Sequence, residues 1–351
     1  MGGAETYLVN LCKYLSSINT DYMLFCPKDR KFISLAQDNN LDIFSWKTYG
    51  KFDPVSILKF VKLIKKQKIS IIHTHLSTAA FIGSFSAKIA GVKCVSHVHG
   101  INTATSYRRA DKIIAVSNAA KTHLVNQGIA EDKIIVIHNG VDIRYYQPDN
   151  ITSAKEKLGL KLDIPIFGIF GRLTKIKGQQ IAIVAFNKFL KKYPNSMLII
   201  TGEGIEKSNL EQLAENYGIK NNILFAGYQN DIKSYMNACD IVLVPSIKEG
   251  FGLSAIEAMA LEKPVIASDT GGLVEIIENE ISGLFFQSGN SDSLAEAMIY
   301  LYTNPNKKEL GINGRRRVIE NFEINNQNQK VLDLLKKVSV TNNKYLSSSL
   351  S

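Results

Sequence analysis

The sequence predicts an α/β protein of two doubly wound, Rossmann-like domains, each a parallel sheet covered by helices. Three observations lead there. Short apolar strand patterns alternate with helix patterns along most of the 351 residues, as repeated strand–helix–strand units require. A polar stretch at 143–152 carrying Pro148 interrupts the alternation near the middle and reads as a linker. From Asp240 to Ala267 the chain then gives strand, glycine-broken turn, helix and strand in order, the local pattern of a parallel sheet.

In the first half, strands are expected at 22–26 and 42–46, a helix at about 55–66, a strand at 69–73 and a helix at about 79–90. Strands at 92–96 and 112–116, a helix at 118–126 and a strand at 133–137 complete it. The helix at 55–66 is amphipathic: Ile57, Leu58, Val61, Leu63 and Ile64 interleave with Lys59, Lys62, Lys65 and Lys66. A second series of strands begins near Ile166, Met197, Asn222, Asp240 and Val265, with helices between them. A final helix is expected at about 325–337, and the Asn- and Ser-rich tail at 340–351 is expected to be disordered. Two such domains facing each other would place a ligand cleft at the carboxyl ends of both sets of strands.

Composition narrows the function classes. At 45% hydrophobic and 21% charged residues this is a globular chain, neither fibrous nor disordered. No run of about 18 apolar residues suggests a spanning helix, and no basic start followed by an apolar core suggests a signal peptide. The four cysteines, Cys12, Cys26, Cys94 and Cys239, are scattered and are expected to be reduced in a cytoplasmic protein. The net charge of +10 suits nucleotide diphosphates, nucleic acid or an anionic membrane face. No nucleic-acid-binding module is recognisable, so nucleic acid is not expected as a partner. The lysines of 55–66 read most simply as a solvated helix face, with membrane contact as the alternative.

The chemistry concentrates at 245–260. Glu249 in the turn and Glu257 in the following helix, seven residues between them, can face one ligand resting on the helix N-terminus. Gly250 and Gly252 let a backbone approach that ligand, and the N–H groups beyond them suit a phosphate. Carboxylates beside an anion site fit a molecule with hydroxyls next to phosphates, such as a sugar nucleotide. Arg172 and Lys177, following the apolar run at 166–170, can reach a common anion. Gly202-Glu203-Gly204 looks like a dinucleotide fingerprint, but Lys207 stands where its third glycine belongs. His73, His75 and His99 lie at neighbouring strand ends, which invites a metal reading. With no further ligand type suitably spaced and no Asp-x-Asp, neither a metal nor a cofactor is expected.

The form Glu249-Gly250-Phe251-Gly252-Leu253 with Glu257-Ala258-Met259-Ala260 resembles the signature of retaining glycosyltransferases of family 4, the group 1 glycosyltransferases of GT-B fold. Gly171-Arg172-Leu173 with Lys177-Gly178, Asn139-Gly140-Val141-Asp142, Gly271-Gly272 with Glu275, and Gly2-Gly3-Ala4-Glu5 resemble further elements of that family, in its order. The resemblance implies a metal-independent transferase that moves sugar from a UDP-, GDP- or ADP-sugar to a glycan or lipid-linked hydroxyl acceptor. Envelope polysaccharide or lipopolysaccharide assembly, with peripheral contact at the inner membrane, would suit it. A sugar-nucleotide 2-epimerase of the same fold, or an inactive nucleotide-binding remnant, are the alternatives.

Carried over residue by residue, the resemblance assigns Arg172 and Lys177 to the departing diphosphate, Glu249 to the donor sugar and Glu257 to the ribose. It places His99 near the reacting carbon, and Gly3, Gly171, Gly204, Gly250, Phe251, Gly252 and Leu253 around the donor. It also implies domains at 1–147 and 148–324, with a helix at 325–339 crossing back to the first. Two departures stand out. The family pattern has a strand ahead of Gly-Gly-Ala-Glu, so a start about 15–20 residues upstream is expected; a degraded gene is the alternative. Glu262 occupies a position usually held by glycine, where a left-handed backbone would cost about 1–2 kcal/mol.

Overall fold

The computed structural model describes residues 3–28, 32–50 and 53–340. The chain divides into two compact units, 1–139 with 325–351, and 140–324. Of the expected disordered tail, Val340 ends a helix and the remainder lies outside the described residues, as does Gly2.

The first unit runs α1 (Gly3–Ser17), β1 (Leu24–Phe25), α2 (Phe32–Asp38), β2 (Ile43–Phe44), α3 (Pro54–Lys66), β3 (Ile71–His75), α4 (Ser77–Ala90), β4 (Lys93–Val98), β5 (Lys112–Ala115), α5 (Asn118–Asn126) and β6 (Ile134–Val136). All pairings are parallel: β1 with β2 in one sheet, and β3-β4-β5-β6 in another. Gly3 opens α1 instead of lying in a loop. Tyr7, Leu11 and Leu15, spaced by four, pin that helix to Val95, Ile114 and Ile137 of the larger sheet. The C-terminal helix (Ile324–Val340) packs Val331, Leu332, Leu335 and Val338 into the same core. Val9 and Cys12, on another side of α1, pack with Leu24 of β1, Phe32 and Ala36 of α2, and Leu41.

The second unit runs α6 (Ile151–Lys157), β7 (Ile166–Phe170), α7 (Gln179–Leu190), β8 (Met197–Thr201), α8 (Lys207–Asn216), β9 (Ile223–Gly227), α9 (Ile232–Ala238), β10 (Ile241–Val244), α10 (Leu253–Ala260), β11 (Val265–Ser268), α11 (Leu273–Ile276), β12 (Leu284–Phe286), α12 (Ser291–Thr303) and α13 (Lys307–Asn321). Its six strands are parallel in the order β12-β11-β10-β7-β8-β9. Strands β7, β10 and β11 are buried throughout, which explains why they read as continuous apolar runs without alternation.

The units divide earlier than the sequence suggests. Residues 140–147 belong with the second unit because Val141 pairs with Glu323: Val141 N donates to Phe322 O at 2.9 Å and Ile324 N donates to Val141 O at 3.1 Å. Polarity and Pro148 mark where the chain leaves regular structure, and cannot reveal that short ladder.

Glu262 has φ +57°. It closes α10 in a Schellman arrangement, with Glu262 N on Met259 O and Lys263 N on Ala258 O, both at 3.0 Å. Its carboxylate lies 3.9 Å from Arg315 and is partly exposed, a contact worth little in water. Replacing Glu262 by Gly is therefore expected to raise stability by about 1 kcal/mol in urea denaturation. A loss of stability would show that the Arg315 contact outweighs the backbone strain.

Candidate functional site

In the second unit β7 and β10 lie side by side, yet the chain leaves β7 towards β8 and leaves β10 towards β11, on opposite sides. That is the topological switch point of the sheet, where connecting loops part and leave a crevice at the strand carboxyl ends. The loops after β7 and β10 meet there through their backbones. Ile176 O accepts from Ile247 N at 2.8 Å and from Lys248 N at 3.3 Å. Gly178 is at φ +69°, and a Cβ on it would sit 1.8 Å from Pro245 O. The loop after β8 joins the same rim, with Leu173 N donating to Glu203 O at 2.9 Å and Gly204 pressed on Leu173 O. Gly171 N donates to Thr201 O at 3.2 Å. From β11, Gly272 N donates to Glu249 O at 3.2 Å, and Gly271, at φ +56°, would drive a Cβ to 2.0 Å from that oxygen.

Onto this rim the sequence hangs its charged groups. Glu249 is buried, with Oε2 2.7 Å from Lys177 Nζ and 3.0 Å from Ser246 Oγ, while Oε1 accepts from Gly250 N at 3.1 Å. The sequence reading takes Glu249 as a ligand-facing carboxylate; the structure first gives it Lys177 to orient. Arg172 is exposed, and its carbonyl accepts from Gln179 Nε2 at 2.9 Å. A small cavity lined by Phe170, Lys177, Gln179, Ser246 and Ser254 opens beside the pair. Gly252, at φ +117°, caps α10, so Leu253 and Ser254 present first-turn N–H groups that the helix leaves unused. Phe251 is buried and turns its ring inward onto Phe322, 5.8 Å between centroids.

Glu257 sits one turn beyond Leu253 on the same face of α10 and is partly buried. Burial pushes its carboxyl up to about 7, and a hydrogen bond from the Tyr146 hydroxyl offsets part of the shift. Tyr146 is the residue that sequence reasoning misses. It falls in the stretch read as linker, and its only sequence signal is the aromatic pair Tyr145-Tyr146 in polar surroundings.

The first unit carries a separate cluster. Parallel pairing sets His75 opposite His97, and strand alternation puts His73, His75, His97 and His99 on one face. His75 Nδ1 and His99 Nε2 are 2.9 Å apart, and the His97 and His99 rings stack at 4.4 Å. Burial holds His73 down to about 4 and His99 to about 3, with a contribution from His73 to the latter. Burial likewise holds His75 and His97 well below the usual imidazole range, with the neighbouring rings adding to the effect. Tyr7 packs its ring 4.7 Å from His97.

Comparison with known proteins agrees with this layout. The profile described as "Glycosyltransferase Family 4" matches residues 1–145, and "Glycosyl transferases group 1" matches 150–321. The chain is 29% identical to the UDP-Gal:alpha-D-GlcNAc-diphosphoundecaprenol alpha-1,3-galactosyltransferase of Escherichia coli, over 94% of this chain and 89% of that protein. It is 28% identical to a capsular polysaccharide biosynthesis glycosyltransferase of Staphylococcus aureus, over 77% of each. Among solved structures, Anabaena HepE in complex with UDP-glucose superposes with a TM-score of 0.86, at 26% identity and 96% coverage of both chains. A glycosyltransferase from Rickettsia africae gives a TM-score of 0.85, at 27% identity over 96% of this chain and 95% of that one. This chain belongs to the group 1 glycosyltransferases and has their GT-B fold, two Rossmann-like domains each built on a parallel sheet.

Proposed function

We propose that this glycosyltransferase is a retaining enzyme that transfers a sugar from a UDP-sugar to a hydroxyl of a glycan or lipid-linked acceptor in envelope polysaccharide or lipopolysaccharide assembly. The carrying observation is the Lys177–Glu249 pair at the switch point, beside the N-terminus of α10. UDP as the nucleotide is supported by a relative whose name carries UDP-Gal and by a similar structure in complex with UDP-glucose.

On this reading the donor diphosphate rests at the first turn of α10, flanked by Arg172 and Lys177, and the ribose lies at Glu257 and Tyr146. The acceptor oxygen bonds to the sugar's anomeric carbon on the face the leaving group departs from. The electron pair of the breaking bond goes to the phosphate oxygen, which takes the acceptor's proton. Arg172, Lys177 and the α10 N–H groups stabilise that developing charge, so no divalent cation bridging the phosphates is required. Glu249 keeps Lys177 aimed, and Oε1, bonded to one amide, retains a lone pair for a sugar hydroxyl. His99 is assigned to the neighbourhood of the anomeric carbon, on the family resemblance.

Replacing Arg172 by Ala is expected to lower kcat/KM by about 10²–10³, the loss typical of one donor aimed at developing charge. The melting temperature should stay unchanged, because the fold engages Arg172 through its carbonyl. Lys177→Ala should lower both, since it strips a buried carboxylate of its cation. UDP release with a sugar donor and scanning calorimetry read the two effects; normal turnover in Arg172→Ala would refute its role.

A lipid-linked acceptor calls for contact with the cytoplasmic membrane face, and α3 supplies a surface for it. Ser56, Val61 and Ile64 are buried, while Val55 and Leu58 stand exposed among Lys59, Lys62, Lys65 and Lys66. Lysines near an anionic surface contribute about 1 kcal/mol each. Among the described residues no helix is long and apolar enough to cross a membrane. The protein should sediment with phosphatidylglycerol vesicles, and a Lys59/Lys62/Lys66→Glu variant should remain in solution. Equal binding to pure phosphatidylcholine would contradict this role.

A further inference from the structure

We propose that His73, His75 and His97 form a binding site for a resident transition-metal ion of the Zn²⁺ class. The sequence alone discounts a metal, since the histidine spacings of one chain do not show what parallel pairing brings together. The structure supplies the convergence. One ring nitrogen from each of the three residues lies within 4.8 Å of the others. Three imidazoles on a tetrahedral ion at Zn–N distances of 2.0–2.1 Å would be roughly 3.4 Å apart. Closing that difference takes rotation of the rings, since His73 and His75 each stack on His97 with 29° and 27° between planes.

The second observation is a set of buried nitrogens with nothing to bond. His73 Nε2, His75 Nε2 and both nitrogens of His97 are buried without a hydrogen-bond partner, and His97 is 1% exposed. A buried polar atom left unsatisfied costs about 1–3 kcal/mol, so several together at one point call for a shared partner. The third is tautomeric. With the proton of their shared bond on His75 Nδ1, His99 Nε2 accepts at 2.9 Å and the lone pair of His75 Nε2 faces the cluster. Metal-bound histidines are commonly oriented by such a bond from the other ring nitrogen. Tyr7, 5% exposed and with its hydroxyl also unpartnered, packs its ring edge-on to His97.

Imidazole donors suit Zn²⁺, Co²⁺, Ni²⁺ or Cu²⁺ over Mg²⁺ or Ca²⁺. The ion would bind together β3 and β4 and, through His75, fix the ring of His99. This inference stands on the first unit alone and holds or fails independently of the donor chemistry proposed above.

The test is a Co²⁺ titration of the full chain after chelator treatment and dialysis, with folding followed by circular dichroism. One equivalent of Co²⁺ should bind with the intense visible absorption of a tetrahedral site, and Zn²⁺ should displace it. His73→Ala and His97→Ala should abolish the spectrum, while His123→Ala on α5 should leave it intact. His99→Ala, which removes the hydrogen-bond partner of His75 and the ring stacked on His97, should weaken affinity about 10- to 100-fold. X-ray absorption of the Zn²⁺ form gives a readout that needs no variant, with three imidazoles expected in the inner shell. A folded wild-type chain that takes up no Co²⁺ in tetrahedral form, or a sulfur ligand in the Zn²⁺ form, would overturn the proposal.

Discussion

The candidate donor site depends on backbone packed against backbone at the switch point of the second sheet. Loops from β7, β8, β10 and β11 converge there with almost no side chain between them. Gly178 lies against Pro245 O and Gly271 against Glu249 O, at separations that leave no room for a Cβ. This is why the motifs are glycine-rich where they meet and charged where they face outward. The glycines do more than permit turns: they set the height of the rim on which Arg172, Lys177 and Glu249 are carried.

Charge placement follows from that rim. Lys177 is brought to Glu249 only because its loop is bonded to the β10 loop through Ile176 O. A buried carboxylate with one cation, one hydroxyl and one amide is well satisfied and holds its lysine in a defined place. Arg172 lies exposed on the same loop, within reach of solvent anions. On the proposed donor reading, one cation is preorganised by a carboxylate and the other is free to reach the leaving diphosphate.

Much of this was legible in the sequence, for a physical reason. Motifs such as Gly171-Arg172 with Lys177-Gly178, and Glu249 to Glu257, pack their chemistry into short local segments, so spacing alone shows what they can reach. The left-handed strain at Glu262 was readable for the same reason, being set by one residue. What was not legible depends on pairing between distant segments. The Val141–Glu323 ladder moves the unit boundary, Tyr146 reaches Glu257 across more than a hundred residues, and His97 meets His73 and His75 only through the register of β3 and β4. Tyr7 joins them from a helix whose first residues read as a glycine loop. Helix α2 was missed as well: its 7 residues are too few to show a period.

The central claim is that the rim of the second unit holds a nucleoside diphosphate at the N-terminus of α10. Calorimetric titration of UDP, GDP and ADP into the full chain tests it most directly. If the rim is the donor site, UDP binds saturably with one equivalent per chain and more tightly than GDP or ADP. No heat from any of the three, in a chain shown by circular dichroism to be folded, would mean that the motifs and their packing persist without a donor site.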